Sequence, residues 1–285
     1  MKACSLKGLI RSIISKSPWL YVTQLYFKKW HKLPNFKHPT DLSEIIFGEV
    51  LNHQLDKYAP YADKIAVRKY IEEWGLGEYL PKLYGVWDNV DDITIDNLPE
   101  KFALKTNHGC GNHIFCRDKS TFNLAEAKEK IRPVLMQSYG SLLEPHYKLI
   151  PPRVFAEEFL EQKGSLLPTD YKFMCCDGKV KFILVAAGRG SENGTKFIAY
   201  DKEWSKLDYI IGPEKTDEEI PSPSQEVLKK MIEIAEQIAE LFVHVRVDLY
   251  DIEGRIVIGE LTFTPEAGVM SYFNYDAVLA AGHGC

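Results

Sequence analysis

The hydrophobic positions of this chain change period several times along its length. The clearest alternation is Val245 to Phe263, VRVDLYDIEGRIVIGELTF. Val245, Val247 and Leu249 alternate with Arg246, Asp248 and Tyr250, the period of a half-buried strand. The return run from Ile256 is β-branched and aromatic, with Glu260 and Thr262 on alternate positions. An odd-length loop around Glu253 and Gly254 would put Asp248 and Glu260 on one sheet face. An even-length turn would put them on opposite faces. Further strands are predicted over Leu80–Val86, Phe102–Thr106, His113–Arg117 and Arg153–Leu160. Asp170–Cys176 and Lys179–Ala187 form a hairpin across Asp177-Gly178, a two-residue turn signal.

Helical spacing appears elsewhere. Leu6, Leu9, Ile10, Ile13 and Ile14 form one stripe, ended by Pro18, and an apolar-basic stretch follows from Trp19 to Leu33. Ile45, Ile46, Val50 and Leu55 mark a helix capped by Thr40 or Asp41, with Glu44 at capping-box distance. Helices are also predicted over Ala62–Trp74, Asn123–Tyr139 and Ser224–Leu241. Residues 188–223 read as loop-rich, and the tail, 264–285, carries Pro265, Gly268, Gly282 and Gly284. Antiparallel strand pairs alternating with single helices predict an α+β architecture rather than a doubly wound parallel sheet.

Composition narrows the class. At 285 residues, 45% hydrophobic and 26% charged, the chain suits one large or two small globular domains. No run approaches the ~20 apolar residues of a membrane helix, and no clean signal region opens the chain, so a cytoplasmic protein is expected. The net charge of −5 argues against general nucleic-acid binding. Its distribution is uneven: residues 1–40 hold eight Lys or Arg and no Asp or Glu. A basic arm of this kind either touches anionic lipid or polymer or docks its apolar face on the protein's own core. The six cysteines lack CxxC spacing and read as reduced rather than as a zinc site or disulfide framework.

Several residues could carry chemistry. Asp248 and Glu260 converging beside Arg246 fit either a solvated, charged strand face or a hard metal ion bearing a phosphate chain. Lys105 precedes the turn His108-Gly109-Cys110-Gly111, where backbone N–H groups could approach phosphate oxygens, or which is an ordinary hairpin turn. Glu157-Glu158-Phe159-Leu160 ends a strand in acids, suited to an adenine edge and a ribose or simply to solvent. Lys172 shares a face with Asp170 and Met174, and with Lys105 it could clamp a triphosphate. Arg189 reaches the same region or is a surface arginine.

The order of these elements resembles the ATP-grasp superfamily, and within it the TupA-like, polysaccharide-modifying branch. The resemblance rests on ADKIAVRKY (62–70), KFALKTNHGCGNHIF (101–115), PRVFAEEFLE (152–161), DYKFMCCDGKVKFI (170–183) and VRVDLYDIEGRIVIGELTFTP (245–265). It implies an ATP-grasp fold in which two α+β subdomains with antiparallel sheets enclose the nucleotide. A largely helical N-terminal region, residues 1–60, precedes the ATP-grasp domain, 61–285. That domain divides into a leading helix and strand (61–100), a glycine-loop part (101–160) and a metal-binding part (161–285).

The resemblance implies ATP and Mg²⁺ as cofactors. It places Lys64, Lys105, His108, Gly109, Gly111 and Lys172 at the phosphates. Glu157, Glu158, Phe159 and Leu160 resemble the adenine hinge, with Glu161 or Glu158 near the ribose. Asp248 and Glu260 resemble the magnesium carboxylates, and Thr262 stands where many ATP-grasp ligases carry an asparagine ligand. Arg246, Lys105, Lys172 and Arg189 become the catalytic cations. The turn Glu266-Ala267-Gly268 departs from the small, glycine-containing turn common in the branch.

The implied activity is a carboxylate–amine ligase working through an acyl phosphate. It would decorate a cell-envelope or capsular polysaccharide, or its precursor. The expected partners are a uronic-acid-containing glycan or other carboxylate and an amino acid or amine. Residues 1–34 are a further expected contact with the inner membrane face or an assembly complex. A sugar or polyol phosphotransferase on the same fold and a non-catalytic nucleotide-binding scaffold are the alternatives.

Overall fold

The structure, a computed structural model, describes residues 17–109, 113–137, 140–164, 166–192, 194–218 and 220–285. The predicted helix from Leu6 to Ile14 therefore lies outside the described residues, as does Gly111. The first helix, α1 (Pro18–Trp30), starts at the proline expected to break a helix. Pro18 occupies the first helical turn, where no N–H is needed, and Ser17 caps it. Helix α2 (Leu42–Leu51) is capped by Asp41, whose carboxylate accepts from Glu44 N at 2.9 Å. Glu44 returns to the N–H groups of Asn35 and Thr40, both at 2.7 Å.

Helix α3 (Ala66–Glu73) is shorter than the predicted Ala62–Trp74. The carboxylate of Asp63 takes the N–H groups of Ile65 and Ala66 at 2.8 and 3.2 Å, which starts the helix late. Lys64 consequently sits in the turn before α3, and its N–H reaches Asn107 O at 3.1 Å.

Among the described residues, ten strands form two antiparallel sheets, which bears out the α+β expectation. The first sheet holds β1 (Leu83–Trp87), β2 (Phe102–Thr106), β3 (His113–Cys116) and β4 (Val154–Glu158) in the order β1-β4-β2-β3. Phe102, Leu104, Val154, Ala156 and Cys116 face α4 (Leu124–Met136), which contributes Ala127 and Ile131 to this core.

The second sheet has six strands, in the order β10-β9-β5-β6-β7-β8. They are β5 (Asp170–Cys176), β6 (Lys179–Ala187), β7 (Lys196–Tyr200), β8 (Lys206–Leu207), β9 (His244–Ile252) and β10 (Arg255–Thr262). One face packs on α5 (Gln225–Ala239) and residues 50–76 through Tyr171, Phe173, Val245, Val247, Leu249, Ile258 and Phe263. The other face is covered at one end by α2 and α6 (Tyr275–Gly282). Strands β7 and β8 fall in the segment that reads as loop-rich, and helix α6 in the tail to which no element is assigned. Short apolar runs there are broken by Gly and Pro, and they become regular only by pairing with or packing on the sheet.

Cys176 at the end of β5 is disulfide-bonded to Cys285, with Cα atoms 5.5 Å apart. That corrects the expectation of reduced cysteines for this pair. The two are 109 residues apart and meet only because α6 returns to the end of β5. Cys116 and Cys175 are free and buried. Among the described residues, no helix is long and apolar enough to cross a membrane.

His146 lies fully buried between helical turns, and both its ring nitrogens lack partners among the described residues. Burial pushes it down to about 4, although Asp56 and Glu49 oppose the shift. An unfolded histidine titrates at about 6.5. Between these values the unfolded chain holds a proton that the folded chain does not. Stability is therefore complete above the unfolded value and falls with pH toward the folded one. The loss attributable to this group is at most about 3 kcal/mol. His146→Leu should lose less stability than the parent when denaturant unfolding at neutral pH is compared with that near pH ~4.

Candidate functional site

The polar faces of the two sheets turn toward each other across a cleft of about 260 Å³. Its floor is set by β9 and β10. The turn between them has two residues, Glu253 and Gly254, both with positive φ (54° and 91°), and pairs Ile252 with Arg255. This even-length turn corrects the demand for an odd one. By itself it would put Asp248 and Glu260 on opposite faces. A β-bulge between Ile258 and Glu260 inserts Gly259 and restores the pairing Glu260↔Asp248. A Cβ at Gly259 would lie 2.7 Å from Tyr250 Cε2 and 3.2 Å from Asp248 O, so the bulge needs glycine.

Strand β5 pairs with β9 so that Lys172 lies opposite Asp248. Lys172, Asp248 and Glu260 thus form one row across three strands. Lys172 Nζ donates to Asp248 Oδ2 at 2.5 Å and to Asp170 Oδ2 at 2.6 Å. Arg246 grips both oxygens of Asp248, at 2.6 and 2.7 Å, and reaches Glu260 Oε1 at 3.2 Å. Lys64 Nζ lies 3.3 Å from Glu260 Oε2 and donates to Gly109 O at 2.8 Å, tying the glycine turn to β10. Arg189 meets Asp170 Oδ2 at 3.2 Å and the Tyr250 hydroxyl at 3.5 Å. Thr262 Oγ1 donates to Glu260 Oε1 at 3.3 Å.

From the other sheet, Lys105 is flanked by His113 on β3 and Phe155 on β4. Its ammonium donates to Glu157 Oε1 at 2.5 Å, and Arg68 stands 4.0 Å from Glu157 Oε2. A small apolar slot adjoins the cleft, lined by Ala103, Phe115, Phe159, Leu160, Leu167 and Pro168, with Lys105, His113, Arg189 and Tyr250 shared between the two. At its rim Arg255 clamps Glu158 at 2.5 and 2.8 Å, joining the two sheets.

Six basic residues line the main cleft: Lys64, Arg68, Lys105, Lys172, Arg189 and Arg246. Against them stand four carboxylates, Glu157, Asp170, Asp248 and Glu260. A buried surplus of positive charge is unfavourable alone and suits an anion. Burial alone would raise Glu260, but Lys64, Arg246 and Lys172 outweigh it and hold it well below the usual carboxylate range. Burial pushes the Asp248 carboxyl up, while Arg246 and Lys172 pull it back. Burial, then Lys105 and Lys64, push His113 down to about 3, so it is a neutral ring at physiological pH. No group of three carboxylate, histidine or cysteine side chains converges on a metal position among the described residues. The heads of Lys172 and Arg246 stand between the carboxylates instead.

The structure therefore gathers Lys64, Lys105, Lys172, Arg189, Arg246, Asp248, Glu260 and Glu157 in one cleft, with Phe159 and Leu160 in the slot beside it. Thr262 adjoins Glu260. Glu161 does not join them: it lines neither cavity and pairs with exposed Lys101 at 2.7 Å. His108 is buried next to the cleft, and Gly109 enters through its carbonyl.

Asp170, Arg68, Tyr250 and Gly259 were not singled out from the sequence as site residues. Period-two spacing from Lys172 and Asp248 carries the signal for Asp170 and Tyr250. Arg68, on α3, follows Lys64 by four residues.

A protein-family model described as TupA-like ATPgrasp matches residues 46–282. No curated protein matches the chain. Among solved structures, D-alanine–D-alanine ligase from Bacillus anthracis, complexed with ATP, superposes with a TM-score of 0.48 at 16% identity, over 80% of this chain and 62% of that one. An L-amino acid ligase from Bacillus licheniformis gives 0.44 at 14% identity, over 83% and 45%. D-Alanine–D-alanine ligase from Helicobacter pylori gives 0.41 at 14% identity, over 79% and 61%. The chain thus spans less than two thirds of the length of each.

Proposed function

The chain belongs to the TupA-like ATP-grasp family, and from that premise we propose that it is an ATP- and Mg²⁺-dependent carboxylate–amine ligase. The observation that carries the reading is the row Lys172–Asp248–Glu260 facing Lys105 across a cleft with surplus positive charge. A polyphosphate supplies the missing negative charge. The apolar slot between Phe115, Phe159 and Leu167 suits a purine, and it opens into the cationic cleft where a phosphate chain would lie. Lys64, Lys105, Lys172 and Arg189 would bind the phosphates, and Arg246 would stand beside the transferred group. Glu158 and Glu161 are engaged by Arg255 and Lys101, so a ribose contact from either requires exchanging that partner. His108 and Gly109 flank the phosphate end.

Asp248 and Glu260 would hold the metal. Their donors are hard oxygens on one sheet face, and Arg246 already bridges them as a cation must. When bound, Mg²⁺ supplies charge neutralisation at the phosphoryl oxygens. The chain's own part is to orient and to exclude water. Arg246 and the lysines neutralise the γ-phosphoryl group while a substrate carboxylate is held in line. A carboxylate oxygen would attack the γ-phosphorus as its bond to the β-phosphate oxygen breaks and ADP leaves; an amine would then attack the acyl carbon, lose a proton and expel inorganic phosphate, leaving the amide.

The substrate belongs on the Arg246 and Thr262 side, away from the slot. We assign it to a uronic-acid-containing glycan or other carboxylate of a cell-envelope or capsular polysaccharide or precursor, joined to an amino acid or amine. The test is phosphate release from ATP across a panel of such carboxylates and amines, with mass analysis of products. An amide supports the ligase. A phosphoester supports a phosphotransferase, and binding without turnover supports a scaffold.

The proposal extends to the arm and to a position at the inner membrane face. Helix α1 exposes Trp19 and Phe27, at 54% and 49%, beside Lys28 and Lys32. The protein should co-sediment with anionic phosphatidylglycerol vesicles at low salt and not with pure phosphatidylcholine. Trp19→Ala with Phe27→Ala should abolish it. Binding to neither vesicle would sink this contact.

A further inference from the structure

A second concave site lies on the other face of the six-stranded sheet, away from the cleft. Tyr200 pairs with Ile183 of β6, which pairs with Phe173 of β5, and all three side chains belong to the core on the α5 side. A cavity of about 340 Å³ opens there, lined by Tyr200, Trp204, Lys206, Ile220, Pro221 and Ser222. Among the described residues it shares no lining side chain with the cleft or the slot.

Trp204 lies in the turn between β7 and β8 with φ 66°, in the left-handed region. Glycine is the usual residue there, and a bulky side chain is strained. The turn holds it in place. Trp204 N donates to Asp201 O at 3.2 Å, and Asp201 Oδ1 accepts from Glu203 N and Ser205 N at 3.0 and 2.7 Å. Strain that the surroundings enforce clusters at ligand-binding positions.

The indole is also preorganised. It stacks on buried Tyr200, with ring centroids 4.3 Å apart and planes 6° from parallel. Its Nε1 donates to Ile220 O at 3.2 Å, and the Tyr200 hydroxyl accepts from Ile220 N at 3.0 Å. The aromatic floor and the wall that starts at Ile220 are thus pinned as one unit, so a ligand pays little ordering entropy. Trp204 stays half-buried, and its remaining surface meets the cavity. At the rim Lys206 Nζ lies 3.2 Å from Asp217 Oδ1, a solvent-exposed pair that exchanges partners at little cost.

We propose that this cavity is a carbohydrate-binding subsite, in which a pyranose ring lies on the Trp204 indole and its hydroxyls meet Lys206 and Asp217. The negative π-face of an indole attracts the C–H groups on the apolar face of a sugar ring. A donor and an acceptor side by side match two neighbouring ring hydroxyls, each of which donates and accepts. A peptide would use the aromatic face and leave the charged pair idle. Because the site lies behind the cleft, it anchors a polymer and does not present the reacting carboxylate. The choice of a glycan rests on the function proposed above, whereas the subsite itself needs neither ATP nor metal.

The test titrates the full chain with maltotriose and with trigalacturonic acid, without nucleotide, by ligand-observed nuclear magnetic resonance. At least one sugar should bind, and Trp204→Gly should weaken it by about tenfold or more. Glycine accepts the φ of 66°, and the thermal midpoint reports whether the variant is folded. Lys206→Gln, an exposed change outside the aromatic stack, should weaken binding by about threefold or more with the midpoint unchanged. If Trp204→Gly melts early, Lys206→Gln decides alone. Failure of both sugars to bind overturns the subsite, as does unchanged affinity in a folded Trp204→Gly or in Lys206→Gln. A proline-rich peptide that binds where both sugars fail makes the cavity a peptide groove instead. With ATP and amine absent, sugar binding can hold while the ligase reading fails, and the reverse.

Discussion

Asp248→Asn is expected to lower ATP-dependent phosphate release about a thousandfold or more, the size of effect seen when a group that stabilises transition-state charge is removed. Asp248 is the centre of the row: both its oxygens are gripped by Arg246, and Lys172 shares one of them. Breaking a buried ion pair costs about 3 kcal/mol. The variant should nonetheless fold, because Lys172 keeps Asp170 and Arg246 keeps Glu260 as partners. Glu260→Gln should lose activity comparably. Turnover and thermal unfolding measured together separate the two effects. Full activity in either variant would sink the metal assignment.

The second large effect concerns a residue with no side chain. Gly259→Val should cost about 1–3 kcal/mol through overpacking against Tyr250. It should also depress turnover by about a hundredfold, since misplacing a reacting group by even an ångström carries that penalty. The contact is specific: any Cβ at this position lies 2.7 Å from Tyr250 Cε2, inside the contact distance of real side chains. The bulge alone keeps Glu260 beside Asp248 across an even-length turn. If the variant retains both stability and turnover, Glu260 does not need the bulge to face the cleft, and the geometry described for β10 is wrong. Unfolding curves and steady-state rates decide it.

The bulge also marks the limit of what the sequence made legible. Alternation in β9 placed Arg246, Asp248 and Tyr250 on one face correctly. In β10 the alternation changes phase: Ile256 and Ile258 face the core, then Leu261 and Phe263 do. That phase shift at Gly259 lies in the residues, but the sequence reading met it with an odd loop, whereas the structure meets it with a bulge. The lysines Lys105 and Lys172 were legible because each sits on a strand with clear period two. Asp170 was named as the face-mate of Lys172 but given no role, since a lone acid at a strand start is normally solvated. Its burial arises from Arg189 and Tyr250, contributed by other strands or loops.

Lys64 was placed on a helix by its spacing. The side chain of Asp63 offers the backbone an alternative to helix there, and no hydrophobic period reports such a competition. Glu161 matched the motif but sits beyond the end of β4, where chain direction rather than residue type decides what it meets. The N-cap at Asp41 and the turn at Asp177-Gly178 were legible because each depends on local side-chain or backbone chemistry alone. Helix α6 and strands β7 and β8 depend on a sheet assembled from distant segments.

The central claim is that the cleft activates a carboxylate by phosphorylation before an amine attacks. The most direct measurement supplies a carboxylate substrate labelled with heavy oxygen and follows the label by mass. Acyl-phosphate chemistry predicts that one labelled oxygen passes from the carboxylate to each released phosphate, with the rest retained in the amide. Unlabelled phosphate, or a γ-phosphoryl group found intact on the product as a phosphoester, would contradict it.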